Sequence, residues 1–348
     1  MRFPLQSPPK LRIAQVNDIA CVGSTLVTAL QQLGQSAELL EVPRPGASWP
    51  TPWRELTAPL RLISNLAVVP RLRQGPFDVV HFHYAWKATA GLFAGRPFVL
   101  HCHGSDVRGR TPREPLGHLI ELIAARAGRV YYSTPDLAST VRAFRGDAEF
   151  LPNPIDLARF GPGPDSRAEP TRDVLIPVRL DPIKGLDTIV AVVERLLELR
   201  PETSFTVIDQ GPGIDRVRSA ARGRVTVRTP VRHTAVPDLF REHRLVLGQF
   251  RVGALGNTEL EALACGVPVA AAFRFPEAYA SPPPLVAGGS DDPETVAHGL
   301  GAVLDDDRAR TALAEASSAW IAATHDAPTI GARLIEAYRE IAGATTAP

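Results

Sequence analysis

Short β-rich runs alternate with amphipathic helical stretches along this chain, and the series occurs twice. The first series runs LRIAQV, helix-like STLVTALQQLG, SAELLEV, FDVVHFH, PFVLHCHG, RVYYS and AEFLP. Strands alternating with helices read as parallel, since a parallel pair needs a crossover connection and a helix supplies it. The stretch FGPGPDSRAEPTRD then breaks the pattern with Pro, Gly and charge, as a linker does. After it the alternation restarts: DVLIPV, helix LDTIVAVVERLLELR, SFTVID, RVTVRT, RLVLGQF, helix NTELEALACG and VPVAAAF. TALAEASSAWIAATHD and TIGARLIEAYREI are helical by spacing, and GATTAP reads as a frayed tail. The expectation is an α/β chain with two Rossmann-like, doubly wound domains facing across a cleft. Residues 1–160 form the first, 161–173 the linker and 174–327 the second, with a terminal helix over 328–343 long enough to pack back on the first. Such sheets bind ligands at the carboxyl ends of their strands.

Composition removes several classes of function. At 348 residues the chain exceeds one core of roughly 150 residues, consistent with two domains. A net charge of +1 gives no general attraction for nucleic acid, so any basic site is local. Cys21, Cys102 and Cys265 are far apart and odd in number, which suits a reducing compartment rather than a disulfide framework or zinc knuckle. Prolines interrupt the start, MRFPLQSPPKLRIAQ, and no run approaches the roughly 18 apolar residues of a spanning helix. The expected location is cytoplasmic. The segment WRELTAPLRLISNLAVVPRLR mixes arginine with apolar residues, so two readings stay open: weak peripheral contact with an anionic membrane, or a helix packed on its own domain and broken by Pro59 and Pro70.

Lysine is rare, occurring only as Lys10, Lys87 and Lys184 among 38 basic residues. One of the three stands in VRLDPIKGL, residues 178–186, where a predicted strand gives way to a helix. Arg179 and Lys184 thus fall on one loop beside a helix N-terminus, a combination suited to a diphosphate. Arg binds two oxygens through its planar fork, and Lys supplies a compact charge. A second stretch, RVGALGNTELEALACGVPVAAAF, has Gly256 for close backbone approach and a helix beginning near Asn257 or Thr258 whose N–H groups face an anion. Glu261 has two oxygens for neighbouring sugar hydroxyls. Thr258 and Glu261 equally have the spacing of a capping box.

VRLDPIKG followed by ELEALACGVPVA resembles the retaining GT-B glycosyltransferases of family 4, glycosyl transferases group 1. VVHFH, LHCHGSDV, STPDL, LPNPIDLARF and AYREI resemble segments those enzymes carry in the same order. The resemblance covers nearly the whole chain. It implies the GT-B fold and transfer of a sugar from a nucleotide-diphosphate sugar to an acceptor hydroxyl, with retention of configuration and no required metal or cofactor. It assigns Arg179 and Lys184 to the donor diphosphate, Glu261 to the ribose, His103 to the donor sugar and Gly23 to a loop near the phosphates. Gly256, Asn257 and Thr258 complete the donor side. His83, Tyr84, Trp86 and Asp106 are candidates for the acceptor side. Asn153 sits where the family leaves its N-terminal domain.

Three positions depart from the family pattern. The first of its two glutamates, eight positions before Glu261, is Gly253 here. That puts sugar identity, and catalysis itself, in question. Asp209 and Pro154 stand where glycine is usual. His81, His83, His101 and His103 raise the alternative of a metal site, but no carboxylate or cysteine pair completes a familiar spacing, and no metal is expected. GPGID at 211–215 has Arg216 where a dinucleotide fingerprint needs its third glycine. Two rival functions remain from the residues, a noncatalytic nucleotide-binding partner and a nucleotide-sugar epimerase on the same fold.

Overall fold

The computed structural model describes residues 9–43, 58–163 and 170–346. The chain divides into two compact units, Met1–Pro154 with Ala327–Pro348, and Ile155–Asp326.

The first unit is built on six parallel strands: β1 (Arg12–Val16), β2 (Ser36–Leu40), β3 (Val79–His83), β4 (Phe98–Cys102), β5 (Arg129–Tyr132) and β6 (Glu149–Phe150), ordered β2-β1-β3-β4-β5-β6. Each of β3 and β4 is buried at every position, as a parallel strand covered on both faces requires. Side-chain alternation divides the strands between two cores. Ala14, Val80, Phe82 and Leu100 pack on one face, while Ile13, Val79, Val99 and Tyr131 face the helices Val22–Gln32 and Ala327–Thr346 on the other. Helix Val22–Gln32 offers Val22, Leu26, Ala29 and Leu30 as one apolar stripe. Tyr338 of the terminal helix is fully buried in that second core.

The second unit has β7 (Arg172–Ile176), β8 (Phe205–Ile208), β9 (Val225–Arg228), β10 (His243–Leu247) and β11 (Val269–Ala270) in the order β11-β10-β7-β8-β9. All pairings are parallel, with Val174 beside both Leu245 and Phe205. Helix Leu186–Leu199 buries Leu186, Ile189, Val192, Val193, Leu196 and Leu197 along its inward stripe. Each such aliphatic side chain contributes about 1.5–3 kcal/mol when fully buried.

In both sheets the strand order reverses at a topological switch point. In the first it lies between β1 and β3, in the second between β7 and β10, and ligands of such sheets bind outside the carboxyl ends of the strands there.

Several boundaries differ from the sequence reading. The division falls at Pro154, because Ile155 and Phe160 are buried in the second unit's core rather than closing the first. Arg172, read as linker, already opens β7, and 164–169 of that linker lie outside the described residues. The terminal helix runs through Thr346, so GATT continues it instead of fraying. Pro70 opens a helix rather than ending one: Ala58–Ser64 gives way at Asn65 to a 3-10 turn, Asn65–Val68, and Val69–Gln74 follows with Pro70 in its first turn.

Candidate functional site

In the second unit the VRLDPIKGL loop leaves the carboxyl end of β7. Asp181, 6% exposed, organises it. One of its oxygens accepts the Lys184 N–H at 3.0 Å and starts the 3-10 turn Pro182–Lys184, while the other meets Arg179 Nε at 2.7 Å. Asp followed by Pro is the usual opening of a helical turn, so this role was readable from the sequence. The Arg179 side chain is exposed, and Lys184 is half-buried with its Nζ donating to Gln249 Oε1 at 3.1 Å. Gln249 follows β10, so the lysine spans the switch point. The Lys184 carbonyl accepts the Phe250 N–H at 3.0 Å, which fixes the backbone across the same gap.

Gln249 is itself fixed, with its Nε2 donating to Ala254 O at 2.8 Å and its N–H to Glu259 Oε1 at 3.1 Å. Glu259 Oε2 accepts the Gly256 N–H at 2.9 Å. The N-cap is therefore Gly256, and the glutamate that serves the helix end is Glu259 rather than Glu261. The expected pairing of Thr258 with Glu261 is absent because the helix Asn257–Ala264 begins two residues too early for it. Burial raises the carboxyl pKa of Glu259, opposed by the Lys184 charge and by its backbone hydrogen bonds. Glu261 is thereby released from capping, and its Oε1 meets His233 Nε2 at 2.8 Å, with the His233 ring 5.1 Å from that of Phe160. Asn257 and Thr258 form the first turn, where helix geometry directs amide hydrogens out of the helix end. Asp209 lies exposed beyond β8, its N–H donating to Arg228 O at 2.8 Å.

Gly253 has φ +72°, and a Cβ there would lie 2.9–3.1 Å from the side chain of Arg274. Arg274 staples the loop by donating to the carbonyls of Gly253, Arg251 and Phe250, and it pairs with Asp291. A glutamate here would be strained by its backbone and displace that guanidinium. The loop is therefore shaped around glycine and arginine.

In the first unit, backbone strain gathers at the switch point. Asn17, Ala20 and Cys21 after β1 have φ +73°, +48° and +60°, and Tyr84 after β3 has φ +97°. Non-glycine residues in this region are uncommon and concentrate at functional sites. Gly23 fits this turn because a Cβ would stand 2.9 Å from Asn17 O, and Asp18 Oδ1 accepts the Ser24 N–H at 3.0 Å.

His83 and Asp106 do not reach a substrate as acceptor-side contacts, since both are fully buried. Asp106 accepts the N–H groups of Ala85, His103 and Gly104 at 2.8, 3.0 and 2.7 Å and so holds the HGSD loop. Its burial outweighs those donors and pushes its carboxyl up to about 6. Tyr84 and Trp86 remain half-buried, with rings edge-on at 4.6 Å, and Tyr84 Oη lies 2.8 Å from Ser105 Oγ.

The four histidines meet as expected. His83 Nδ1 lies 3.1 Å from His103 Nε2, and His83 Nε2 2.8 Å from Gln15 Oε1. Gln15 Nε2 donates to Tyr338 Oη, which lies 2.6 Å from His81 Nδ1. Burial drives all four imidazoles toward the neutral form, His83 down to about 3, and like charge on neighbouring rings adds to the effect at His81, His101 and His103. Nitrogens of His81, His83 and His101 lie within 4.8 Å of one another. The His81 and His83 rings, however, stack 4.5 Å apart with planes 16° from parallel. An imidazole lone pair lies in its ring plane, so two stacked rings do not aim at one ion without turning. Gln15, Asp181, His233, Gln249, Glu259 and Tyr338 were not read from the sequence; Asp181 and Glu259 act on their own turns, and the roles of the others depend on contacts far along the chain.

Residues 18–154 match the glycosyl transferase 4-like domain and residues 171–306 the glycosyl transferases group 1 family. A GDP-mannose-dependent alpha-(1-6)-phosphatidylinositol monomannoside mannosyltransferase of Mycolicibacterium smegmatis is 29% identical over 211 residues, covering 54% of this chain and 55% of that protein. A D-inositol 3-phosphate glycosyltransferase of Streptomyces avermitilis is 28% identical over 239 residues, covering 58% and 51%. The chain spans about half the length of the curated relatives it matches. Sucrose-phosphate synthase from Thermosynechococcus elongatus superposes with TM-score 0.73 at 17% identity, over 96% of this chain and 100% of that one. With a matching family for each unit and GT-B enzymes as structural neighbours, the chain belongs to the family 4, group 1 glycosyltransferases.

Proposed function

We propose that the protein transfers a sugar from a nucleotide-diphosphate sugar to an acceptor hydroxyl, with retention of anomeric configuration. The observation that carries this reading is the grouping at the β7/β10 switch point of Arg179, Lys184 and the first turn of helix Asn257–Ala264. As the bond to the anomeric carbon breaks, negative charge gathers on the departing diphosphate. Cations that bind it more tightly as charge grows lower the barrier. A unit charge pair at about 4 Å with an effective dielectric of about 20 is worth about 4 kcal/mol before desolvation, more than one neutral hydrogen bond of about 1 kcal/mol. Glu261, positioned by His233, has a second oxygen for the ribose. His103 contacts the donor sugar in this reading. With two protein cations available to the diphosphate, no metal or cofactor is required.

GDP-mannose is the first donor to test, from the name of the Mycolicibacterium relative. Mass spectrometry of reactions with GDP-mannose and UDP-glucose, run with chelator and with inositol phosphate or phosphatidylinositol mannoside as acceptor, is expected to find one acceptor heavier by one hexose, its anomeric coupling matching the donor. An isomerised donor with unchanged acceptor mass indicates an epimerase, and nucleotide binding with no turnover of either donor indicates a noncatalytic partner. Either result rejects the reading.

Peripheral membrane contact has a separate support. Leu60, Ile63, Leu66 and Phe93 are 53%, 63%, 36% and 49% exposed, with Arg73 bonded to the Phe93 carbonyl and Arg71 nearby in sequence. Among the described residues, no helix is long and apolar enough to cross a membrane. Exposed apolar side chains with arginine beside them suit the surface of an anionic bilayer, although Arg71 is paired with Glu38. The protein is expected to sediment with phosphatidylglycerol vesicles and to lose that binding in Leu60→Ser/Ile63→Ser. Unchanged sedimentation of the double variant rejects this face as the contact.

A further inference from the structure

The hydrogen-bond chain behind His103 has a direction. Gln15 presents its amide nitrogen to Tyr338 and its oxygen to His83 Nε2 at 2.8 Å. A carbonyl oxygen only accepts, so His83 carries its proton on Nε2. In a neutral imidazole that leaves Nδ1 as a lone pair, and the atom facing it at 3.1 Å, His103 Nε2, supplies the proton. His103 is then the Nε2–H tautomer, with Nδ1 as its basic nitrogen. His81, His83 and His101 are fully buried, while His103 is half-buried and the one ring of the four that reaches the surface of its unit.

We propose that Gln15 and His83 are positioning residues that lock His103 as the Nε2–H tautomer, so that it meets a substrate hydroxyl as a hydrogen-bond acceptor through Nδ1. The chain is anchored at its far end by Tyr338, buried on the terminal helix, and by its contact to His81 Nδ1 at 2.6 Å. Burial keeps each imidazole neutral at physiological pH, the condition under which a tautomer has meaning. Reversing the Gln15 amide would reverse every donor along the line, so the glutamine sets the polarity of the whole chain. The contact to a substrate hydroxyl rests on the glycosyltransferase reading, whereas the tautomer does not.

Long-range 1H–15N correlation spectra of the 15N-labelled full chain at neutral pH test the lock without substrate. His103 is expected as the Nε2–H tautomer in the native protein. Gln15→Met, its fold checked by circular dichroism, is expected to let His103 sample both tautomers, and Gln15→Glu, which still only accepts toward His83, to restore one. An Nδ1–H tautomer in the native protein, or an unchanged spectrum in Gln15→Met, overturns the proposal; the native spectrum decides the matter even where the variants fail to fold. In sugar transfer, Gln15→Met is expected to lower kcat about tenfold, the worth of one hydrogen bond, with nucleotide affinity unchanged. If transfer itself is absent while the tautomer is as stated, the functional reading fails and the lock stands.

Discussion

Lys184→Ala is expected to lose about a hundredfold or more in kcat, the scale on which one preorganised charge stabiliser acts. The lysine lies between the two strands of the switch point, and among the described residues its Nζ donates to a neutral acceptor, Gln249 Oε1, while the carboxylate of Glu259 is turned to backbone N–H groups. An ammonium held by a neutral amide keeps its charge for a ligand, unlike Arg179, which already shares Asp181. Arg179→Ala is accordingly expected to cost less. Removing Lys184 also leaves Gln249 Oε1 without that donor, a loss of about 1 kcal/mol in stability, so thermal melts accompany the kinetics. Steady-state rates equal to those of the native protein would take Lys184 out of the mechanism.

The second large effect is on stability in acid. His83 has an unfolded pKa near 6.5 and a folded one of about 3, so the folded state binds fewer protons across that window. Stability contributed by the neutral ring is complete above about 6.5 and is lost as pH falls toward 3, amounting to about 2 kcal/mol at about pH 5 for this residue. Asp106 works in the opposite sense: its folded pKa of about 6 exceeds the ordinary 3.8, so acid relieves a buried charge and returns on the order of 1 kcal/mol at about pH 5. One aspartate roughly offsets one histidine, and His81, His101 and His103, all lowered, decide the sign. Urea unfolding is expected to show the first unit markedly less stable at about pH 5 than at about pH 7.5. His101→Leu should flatten that dependence. Among the described residues, buried His101 has no hydrogen-bond partner for either ring nitrogen, so its loss leaves no broken pair there. Equal stability at both pH values would mean that the four rings already carry charge or are hydrated.

Much of this arrangement is legible in the residues, for identifiable reasons. Parallel strands buried on both faces are written as apolar runs, so β3, β4, β7 and β10 stand out without any structure. The Arg179 and Lys184 loop is local, fixed by a strand end, Asp181 and one 3-10 turn within a few residues. Glu259 and Glu261 are a different case. They stand two apart on one short helix, and which of them caps it depends on whether the helix starts at Gly256 or Thr258, a difference sequence pattern does not resolve. His83 looked like a loop contact because it ends a strand, yet its side chain lies on the face covered by the terminal helix, where Gln15 meets it and is itself held by Tyr338, 255 residues after His83. Pro154 marks the division only because Ile155 and Phe160 find partners in the second core, information that resides in packing. Gly253 reads as a missing carboxylate in sequence and as a backbone requirement in space.

Calorimetric titration of the protein with a nucleoside and with its 5′-diphosphate addresses the cationic loop most directly. The diphosphate is expected to bind at least about tenfold more tightly than the nucleoside, with Lys184→Ala abolishing most of that difference and leaving nucleoside affinity unchanged. Equal affinity of the native protein for the two ligands would contradict a diphosphate site at Arg179 and Lys184.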